Sequence, residues 1–287
     1  MGSRPEYQCP PEIYYNKDEA SKYSNSTRII DIQYQLTERC IELLNLPENE
    51  SQLILDIGCG SGLSGEVLSE DEHTWIGIDI SRDMLNIAID RETQGDIFEI
   101  DMGQGFSFRH GIFDAAISVS ALQWLCVASK KAHNPIQRLK KFFTSLYNSL
   151  KQGGRAVLQF YPDGSQQLEM ITTTAMKCGF NGGVIVDFPN STKAKKLYLV
   201  INAGGDNRGD DIVLIEGKNE LDNEEAKVNP LDKRKKILKG KNNQKPKYKS
   251  KEWIQNKKER QRAQGKDVRP DSKYTGKRRG GLIKILK

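Results

Sequence analysis

The chain has 287 residues, of which 37% are hydrophobic and 29% are charged, a length and composition that suit one ordinary domain with extensions or two small domains. No apolar run is long enough to span a bilayer, and residues 1–11 lack the apolar stretch of a secretory signal, so we expect the protein to stay inside the cell. The five cysteines have no C-x-x-C spacing and the three histidines are scattered, which argues against a disulfide framework and a metal site.

Charge is divided unevenly along the chain. Residues 227–287 contain 23 Lys and Arg and 5 Asp and Glu, a net charge of +18, whereas residues 1–226 have a net charge of −12. An acidic body with a basic tail indicates a polyanionic partner. The tail has few large apolar residues, so we predict that it is largely disordered when free, with a possible helix over residues 249–264. An acidic, Gly- and Asn-rich linker over residues 203–226 precedes it.

Between residues 51 and 202 short apolar strands alternate with amphipathic helices, which predicts an α/β fold with a mostly parallel sheet and helices on both faces. The predicted strands cover residues 53–55, 75–78, 97–100, 113–119, 155–160, 184–186 and 197–201. The predicted helices cover residues 83–90, 138–150 and 166–178, with Ser81 as an N-cap and residues 151–154 as a turn. No helix separates the last two strands, which predicts an antiparallel pair at one edge.

A glycine-rich loop follows the first predicted strand. Residues 56–62 have the pattern D-x-G-x-G-x-G, in which glycines allow a tight turn and a close approach of backbone to a ligand. A dinucleotide-binding loop, G-x-G-x-x-G, would place a third glycine at position 63, where this chain has Leu63. The pattern instead resembles the first motif of class I methyltransferases, whose loop holds the methionine part of the cofactor.

Two further acids end predicted strands. Asp79 follows the second strand, and Asp101 follows the third. Open α/β sheets bind ligands at the carboxyl ends of their strands, and a carboxylate such as Asp79 can accept hydrogen bonds from both hydroxyls of a ribose. The alternative interpretation is that the glycines form only a tight turn and the acids only cap helices.

The chain is similar to the eukaryotic small-subunit (18S) rRNA guanine-N7 methyltransferases over nearly its whole length. The segments that carry the resemblance are residues 10–16, 22–28, 55–65, 113–126, 159–162 and 271–279. The basic signature at 271–279 matters most, because generic class I methyltransferases lack it. Residues 280–287, which are apolar and basic, depart from the family pattern and have no assigned role.

This resemblance implies a Rossmann-like class I methyltransferase with a seven-stranded sheet and S-adenosylmethionine as cofactor, without a metal. In the family the acid after the third strand bonds the adenine amino group, and the next backbone N–H contacts the ring. The residues expected to bind the cofactor are Tyr23, Asp56, Gly58, Cys59, Gly60, Gly62, Asp79, Ile80, Asp101, Met102 and Ser118. The implied organisation is a cofactor lid and substrate segment (1–50), a methyltransferase domain (51–202), the linker (203–226) and the basic tail (227–287).

The implied reaction is methylation of guanine N7 in 18S rRNA, with a role in small ribosomal subunit biogenesis. Guanine N7 carries an exposed lone pair, so we expect alignment rather than a general base. Aromatic side chains can clamp an unstacked base, although each of them could instead belong to the core or to a cofactor lid. The substrate-positioning candidates are Tyr14, Tyr15, Gln123, Trp124, Gln159 and Tyr161.

The resemblance also implies partners: 18S rRNA within the pre-40S particle, and a small zinc-binding methyltransferase activator that adds strands along residues 97–100. The alternative is that these apolar side chains only face covering helices. The basic clusters at residues 233–236 and 277–279 predict RNA binding, nuclear localisation or both, so we expect nucleolus, nucleoplasm and cytoplasm, and no membrane. Two other functions stay open: a small-molecule methyltransferase of this fold, and an assembly factor whose catalysis is dispensable.

Overall fold

The computed structural model describes residues 4–47, 50–128, 133–191 and 194–204, together with Gly217, Lys218, Gln255, Lys258 and Pro270. The chain divides into two compact units, residues 1–224 and 225–287. In the second unit Gln255 and Lys258 are helical, and Lys258 Nζ donates to the carbonyl oxygen of Pro270 at 3.3 Å. The rest of the predicted helix over 249–264, and the predicted disorder of the tail, lie outside the described residues.

The first unit contains seven helices and seven strands in its described residues, with three short 3-10 helices. The helices are α1 (Pro11–Tyr14), α2 (Lys17–Asn25), α3 (Thr27–Leu44), α4 (Leu63–Glu70), α5 (Arg82–Asp90), α6 (Pro135–Ser149) and α7 (Ser165–Lys177). The strands are β1 (Leu53–Ile57), β2 (Thr74–Asp79), β3 (Asp96–Glu99), β4 (Phe113–Val119), β5 (Leu150–Phe160), β6 (Phe180–Asp187) and β7 (Lys196–Ala203). The 3-10 helices are Pro5–Tyr7, Met102–Gln104 and Leu122–Cys126.

The seven strands form one sheet in the order β3-β2-β1-β4-β5-β7-β6. The pairs from β3 to β5 are parallel, whereas β7 runs antiparallel to both β5 and β6. This arrangement confirms the mostly parallel α/β sheet with an antiparallel edge pair. It also places β3 at the opposite edge, where it pairs with β2.

Two apolar cores cover the two faces of the sheet because neighbouring residues of each buried strand point to opposite sides. Leu55 and Ile57 of β1 pack with Phe142 and Phe143 of α6, whereas Ile54 packs on the other face among residues of α3, α4 and α5. At the β3 edge Ile97 and Ile100 pack against these cores, and Phe98 is 47% exposed. Ile97 and Ile100 therefore pack against the chain's own cores, and pairing of this strand with another chain stays a prediction.

Local sequence signals explain where the helices begin. Ser81 caps α5 as predicted, since its Oγ accepts from the backbone N–H of Met84 at 3.2 Å. Asn134 caps α6 in the same way, and Pro135 occupies the first helical position, where its missing N–H costs nothing. This Asn-Pro start places the beginning of α6 three residues earlier than the predicted residue 138.

Several predicted boundaries were wrong. Residues 151–154 are not a turn but part of β5, where the register with β4 shifts between Phe113 and Ala115 and so absorbs the extra residues as a bulge. Gly182 and Gly183 lie inside β6 rather than before it, and Ala203 belongs to β7 rather than to the linker.

Part of the predicted linker is fixed to the body. The backbone N–H of Lys218 donates to Asp187 Oδ1 at 2.8 Å, and its ammonium pairs with Glu42 at 2.9 Å. Asp187 is buried and also forms a bidentate ion pair with Arg39, at 3.0 and 3.1 Å. None of the helices in the described ranges is long and apolar enough to cross a bilayer.

Candidate functional site

The glycine loop between β1 and α4 has a backbone that requires glycine. Gly58, Gly60 and Gly62 have φ angles of +75°, +53° and +79°, a region that side chains with a Cβ rarely adopt. A Cβ at Gly58 would lie 2.5 Å from the Cβ of Ala121, and one at Gly60 would lie 2.9 Å from Met84 Cε. The first two glycines therefore allow the loop to pack closely against the elements around it.

A cavity of about 880 Å³, open to solvent, lies over this loop at the carboxyl ends of the parallel strands. The residues that line it include Pro11, Tyr15, Tyr23, Gln33, Gly58, Cys59, Gly60, Ser61, Ser64, Met84, Asp79, Ile80, Asp101, Met102, Ser120, Ala121, Trp124 and Arg138. Eight of the eleven residues expected to bind the cofactor are among them: Tyr23, Gly58, Cys59, Gly60, Asp79, Ile80, Asp101 and Met102.

Asp79 lies at the end of β2, and its carboxylate is held by backbone donors. Oδ2 accepts from the N–H of Gly60 at 2.9 Å, and Oδ1 accepts from the N–H of Ser81 at 2.8 Å. Burial raises the pKa of this carboxyl, while these backbone donors lower it. The N–H of Ile80 also hydrogen-bonds this carboxylate, so of its about four acceptor sites one is left for a hydroxyl group.

Asp101 follows β3 and reaches the same cavity, but it is not alone there. Arg138 of α6 binds both of its oxygens, at 2.8 and 3.0 Å, and also lines the cavity. Sequence reasoning missed Arg138, because 37 residues separate the two partners. No short-range pattern signals such a contact.

Three expected cofactor residues lie behind the lining rather than in it: Asp56, Gly62 and Ser118. Asp56 is buried in β1 and accepts from Ser64 Oγ at 2.5 Å, and burial raises its pKa to about 7. Ser118 donates through its Oγ to the carbonyl oxygen of Ile57 at 2.8 Å. Asp56 and Ser118 therefore brace the glycine loop, and a direct contact with the cofactor stays a prediction.

Cys59, the loop residue between the first two glycines, contributes an apolar wall. It is 4% exposed, and burial, with the nearby carboxylates of Asp56 and Asp79, raises the pKa of its thiol well above the usual value. The thiol is therefore protonated at neutral pH and acts as a small hydrophobic group.

Four aromatic rings form a cluster at the cavity. Tyr15 contacts Tyr14, Tyr23 and Trp124 with ring centroids 5.1, 5.8 and 5.8 Å apart, and Tyr14 lies 5.9 Å from Trp124. Burial raises the pKa of Tyr15 and Tyr23, so both phenols are neutral. The cluster is fixed to the cofactor side of the site, because Ser81 Oγ donates to the carbonyl oxygen of Tyr15 at 2.8 Å.

The two candidate glutamines, Gln123 and Gln159, lie outside the cavity lining, and a contact of either with the base stays a prediction. Gln159 is fully buried, and its Oε1 accepts from the N–H and the hydroxyl of Ser120 at 3.0 and 2.9 Å. Gln123 donates to the carbonyl oxygen of Ser120 at 2.7 Å. Ser120 has φ +59°, a strained value for a residue with a side chain, so both glutamines support this turn beside the cavity.

Tyr161, just after β5, lies outside the cavity lining as well. The ammonium group of Lys196 lies 5.2 Å from the centroid of its ring. Its carbonyl oxygen accepts a hydrogen bond from the guanidinium of Arg4 at 3.0 Å. The N-terminal segment is thus fixed to the loop after β5. A contact of Tyr161 with substrate stays a prediction.

Sequence reasoning also missed Pro11, Gln33 and Ser61. Ser61 stands inside the motif, is 1% exposed, and its Oγ has no hydrogen-bond partner within the described residues. A buried hydroxyl without a partner in a cavity wall is ready to bind a ligand. Its position within D-x-G-x-G-x-G was an available signal.

Two family models match the chain: one described as a methyltransferase domain, over residues 55–158, and one described as a methyltransferase involved in Williams-Beuren syndrome, over residues 205–281. A probable 18S rRNA (guanine-N(7))-methyltransferase of Dictyostelium discoideum is 52% identical over 285 residues, 97% of this chain and 99% of the relative. The chain belongs to the 18S rRNA (guanine-N7)-methyltransferase family. The family member of Mus musculus is 51% identical over 276 residues, 96% of both chains.

Among solved structures, the magnesium protoporphyrin IX methyltransferase of Synechocystis, with bound S-adenosylmethionine, is similar with a TM-score of 0.51. It is 18% identical and covers 71% of this chain and 99% of its own, a likeness that concerns the fold. The family's cofactor is S-adenosylmethionine, and the cavity fits it. The unpaired Ser61 hydroxyl lies in the glycine loop, and carboxylates stand at the ends of the neighbouring strands β2 and β3.

Proposed function

We propose that this chain methylates N7 of a guanine in 18S rRNA, using S-adenosylmethionine, and thereby acts in small ribosomal subunit biogenesis. The proposal is carried by the 52% identity over 97% of the chain to a probable enzyme of that name. The cavity supports it, since its glycine loop and two acids suit the cofactor and an aromatic cluster adjoins them.

The proposed reaction needs no general base. When bound, the cofactor would supply a sulfonium methyl group that the free lone pair of guanine N7 can accept, as the carbon–sulfur bond breaks and S-adenosylhomocysteine leaves. The chain must therefore hold the two reactants close together, in line and away from water. The cavity lining in the described part of the chain contains no histidine, and its two aspartates have backbone or arginine partners that suit binding.

The aromatic cluster of Tyr14, Tyr15, Tyr23 and Trp124 is the proposed clamp for the unstacked guanine. Methylation at N7 makes the base cationic, and the faces of aromatic rings attract a cation. Pro11, Tyr15 and Tyr23 line the cavity from the N-terminal segment, which supports a lid role for residues 1–50. The hydrogen bond from Ser81 Oγ to Tyr15 connects this lid to the turn after Asp79.

The edge strand β3 is the proposed docking site for a small zinc-binding methyltransferase activator. β3 forms the edge of the sheet, so its outer backbone groups can pair with a strand from another chain. Phe98, 47% exposed, would be covered by such a strand. Substituting Phe98→Glu should abolish co-purification of the activator. Ile136→Glu, at a residue 59% exposed on α6, is the matched control and should leave it unchanged.

The basic tail, residues 227–287, is proposed to contact rRNA phosphates in the pre-40S particle and to direct the protein to the nucleolus and nucleoplasm, with a further cytoplasmic pool. Its net charge of +18 supports salt-sensitive binding to a polyanion. Deletion of residues 227–287 should therefore weaken RNA binding and remove nuclear accumulation.

The test of the function is mass spectrometry of nucleosides from small-subunit rRNA in cells that lack this gene. 7-Methylguanosine should disappear and return with the wild-type gene. Asp79→Lys should fail to restore it, because this substitution replaces the carboxylate that would accept a hydrogen bond from a ribose hydroxyl. Asp90→Lys, a matched change at an exposed residue of the same region, should restore it. An unchanged 7-methylguanosine level in the deletion strain would refute the proposal.

A further inference from the structure

The ion pair between Asp101 and Arg138 is part of the cavity wall. Arg138 NH2 lies 2.8 Å from Oδ1 and NH1 lies 3.0 Å from Oδ2, a bidentate geometry that fixes the plane of the carboxylate. The side chains are 10% and 22% exposed, so the pair is shielded from most solvent. Both residues line the cavity.

Arg138 is itself held in place by the 3-10 helix that follows Asp101. A Cβ at Gly103 would lie 2.3 Å from Arg138 Cζ, so the guanidinium packs directly against the backbone there. The N–H of Gly103 also donates to Asp101 Oδ1 at 2.9 Å.

Most of the acceptor sites of the Asp101 carboxylate are already occupied. An ionised carboxylate offers about four acceptor sites, two on each oxygen. Oδ1 receives Arg138 NH2 and the Gly103 N–H, and Oδ2 receives Arg138 NH1. A single acceptor site therefore remains, on Oδ2, and its direction is set by the arginine.

We propose that Arg138 is a positioning residue that makes this cavity select a 6-aminopurine over a 6-oxopurine. The inference rests on the proposed function, because it takes the nucleoside of S-adenosylmethionine as the ligand beside Asp101. An amino group donates to the fixed Oδ2 site, whereas a 6-oxo group would place an acceptor against an acceptor. Without Arg138 the carboxylate can rotate, and the difference between the two ligands becomes smaller.

The test measures the binding of S-adenosylhomocysteine and S-inosylhomocysteine to the purified full-length chain by calorimetry. The wild type should prefer the adenosyl ligand by at least about 100-fold, as expected where a site hydrogen-bonds one group and opposes another. Arg138→Met should lower this ratio at least tenfold. Arg91→Met, which removes the half-buried pair with Glu66 outside the cavity lining, is the control and should keep the wild-type ratio.

The ratio of the two ligand affinities distinguishes a positioning role of Arg138 from a general loss of structure. If Arg138→Met weakens both ligands by the same factor, the inference is wrong and Arg138 is only structural. Should Arg138→Met fail to fold, Arg138→Lys keeps the charge but loses the planar fork, and it should still lower the ratio. A wild type that binds neither ligand would overturn the cofactor assignment, and this inference with it.

Discussion

Asp56 is expected to make the stability of the cofactor-free protein depend on pH. Its carboxyl is 1% exposed, one oxygen accepts from Ser64 Oγ, and the other has no partner within the described residues. Burial raises its pKa from 3.8 to about 7. The folded state therefore keeps a proton that the unfolded state releases, so the contribution of Asp56 to stability is greatest below pH 4, falls as the pH rises through 7 and is constant above about pH 8.

The magnitude follows from the two pKa values. A difference of about three units corresponds to about 4 kcal/mol of unfolding free energy lost at pH 8, of which about 3 kcal/mol is lost between pH 5 and 8. Asp56→Asn keeps an oxygen acceptor for Ser64 but cannot ionise. Its stability relative to the wild type should therefore rise by about 3 kcal/mol over this range.

Urea denaturation of both proteins without cofactor, at intervals from pH 5 to 8, measures this difference, and the titrating groups that do not interact with Asp56 cancel between them. A difference in unfolding free energy that stays constant across the range would refute the reasoning. It would mean that the Asp56 carboxyl is ionised in the folded protein at pH 5.

Two further substitutions probe the loop and the body. Gly58→Ala should abolish cofactor binding in calorimetry, because the residue has φ +75° and its Cβ would lie 2.5 Å from Ala121 Cβ. Gly183→Ala is the control and should bind the cofactor normally, because no atom lies within 4 Å of a Cβ at that position. Arg39→Met should lower the unfolding free energy by about 3–5 kcal/mol, since it leaves Asp187 buried with its charge uncompensated. An unchanged denaturation midpoint for this variant would contradict that account.

The sequence predicted the parts of the site that depend on short-range pattern. Buried apolar runs ending at Asp79 and Asp101 located both acids, because parallel strands bring their carboxyl ends to one edge. The Asn134-Pro135 pair was an available start signal for α6, and the prediction overlooked it. The glycines at 153 and 154 predict a turn, although a bulge uses the same residue type.

The rest depends on contacts between distant segments. The sequence offers Gln159 and Gln123 as candidate base contacts, whereas in the structure both form hydrogen bonds with Ser120, whose backbone is strained. Only the three-dimensional structure reveals that strain. The pairing of Arg138 with Asp101 cannot be predicted from the sequence either, because the sequence does not show which basic residue of a helix contacts a given acid.

The chemistry of Cys59 bears on how this cavity can be targeted. Electrophilic reagents attack thiolates, and burial beside two carboxylates keeps this thiol in its protonated form. A covalent inhibitor aimed at the cavity would therefore find no reactive sulfur there, despite a cysteine in the wall. Alkylation in solution should instead label Cys9 and Cys178, the partly exposed thiols, first. Competitive, non-covalent ligands are the suitable chemical probes of this site.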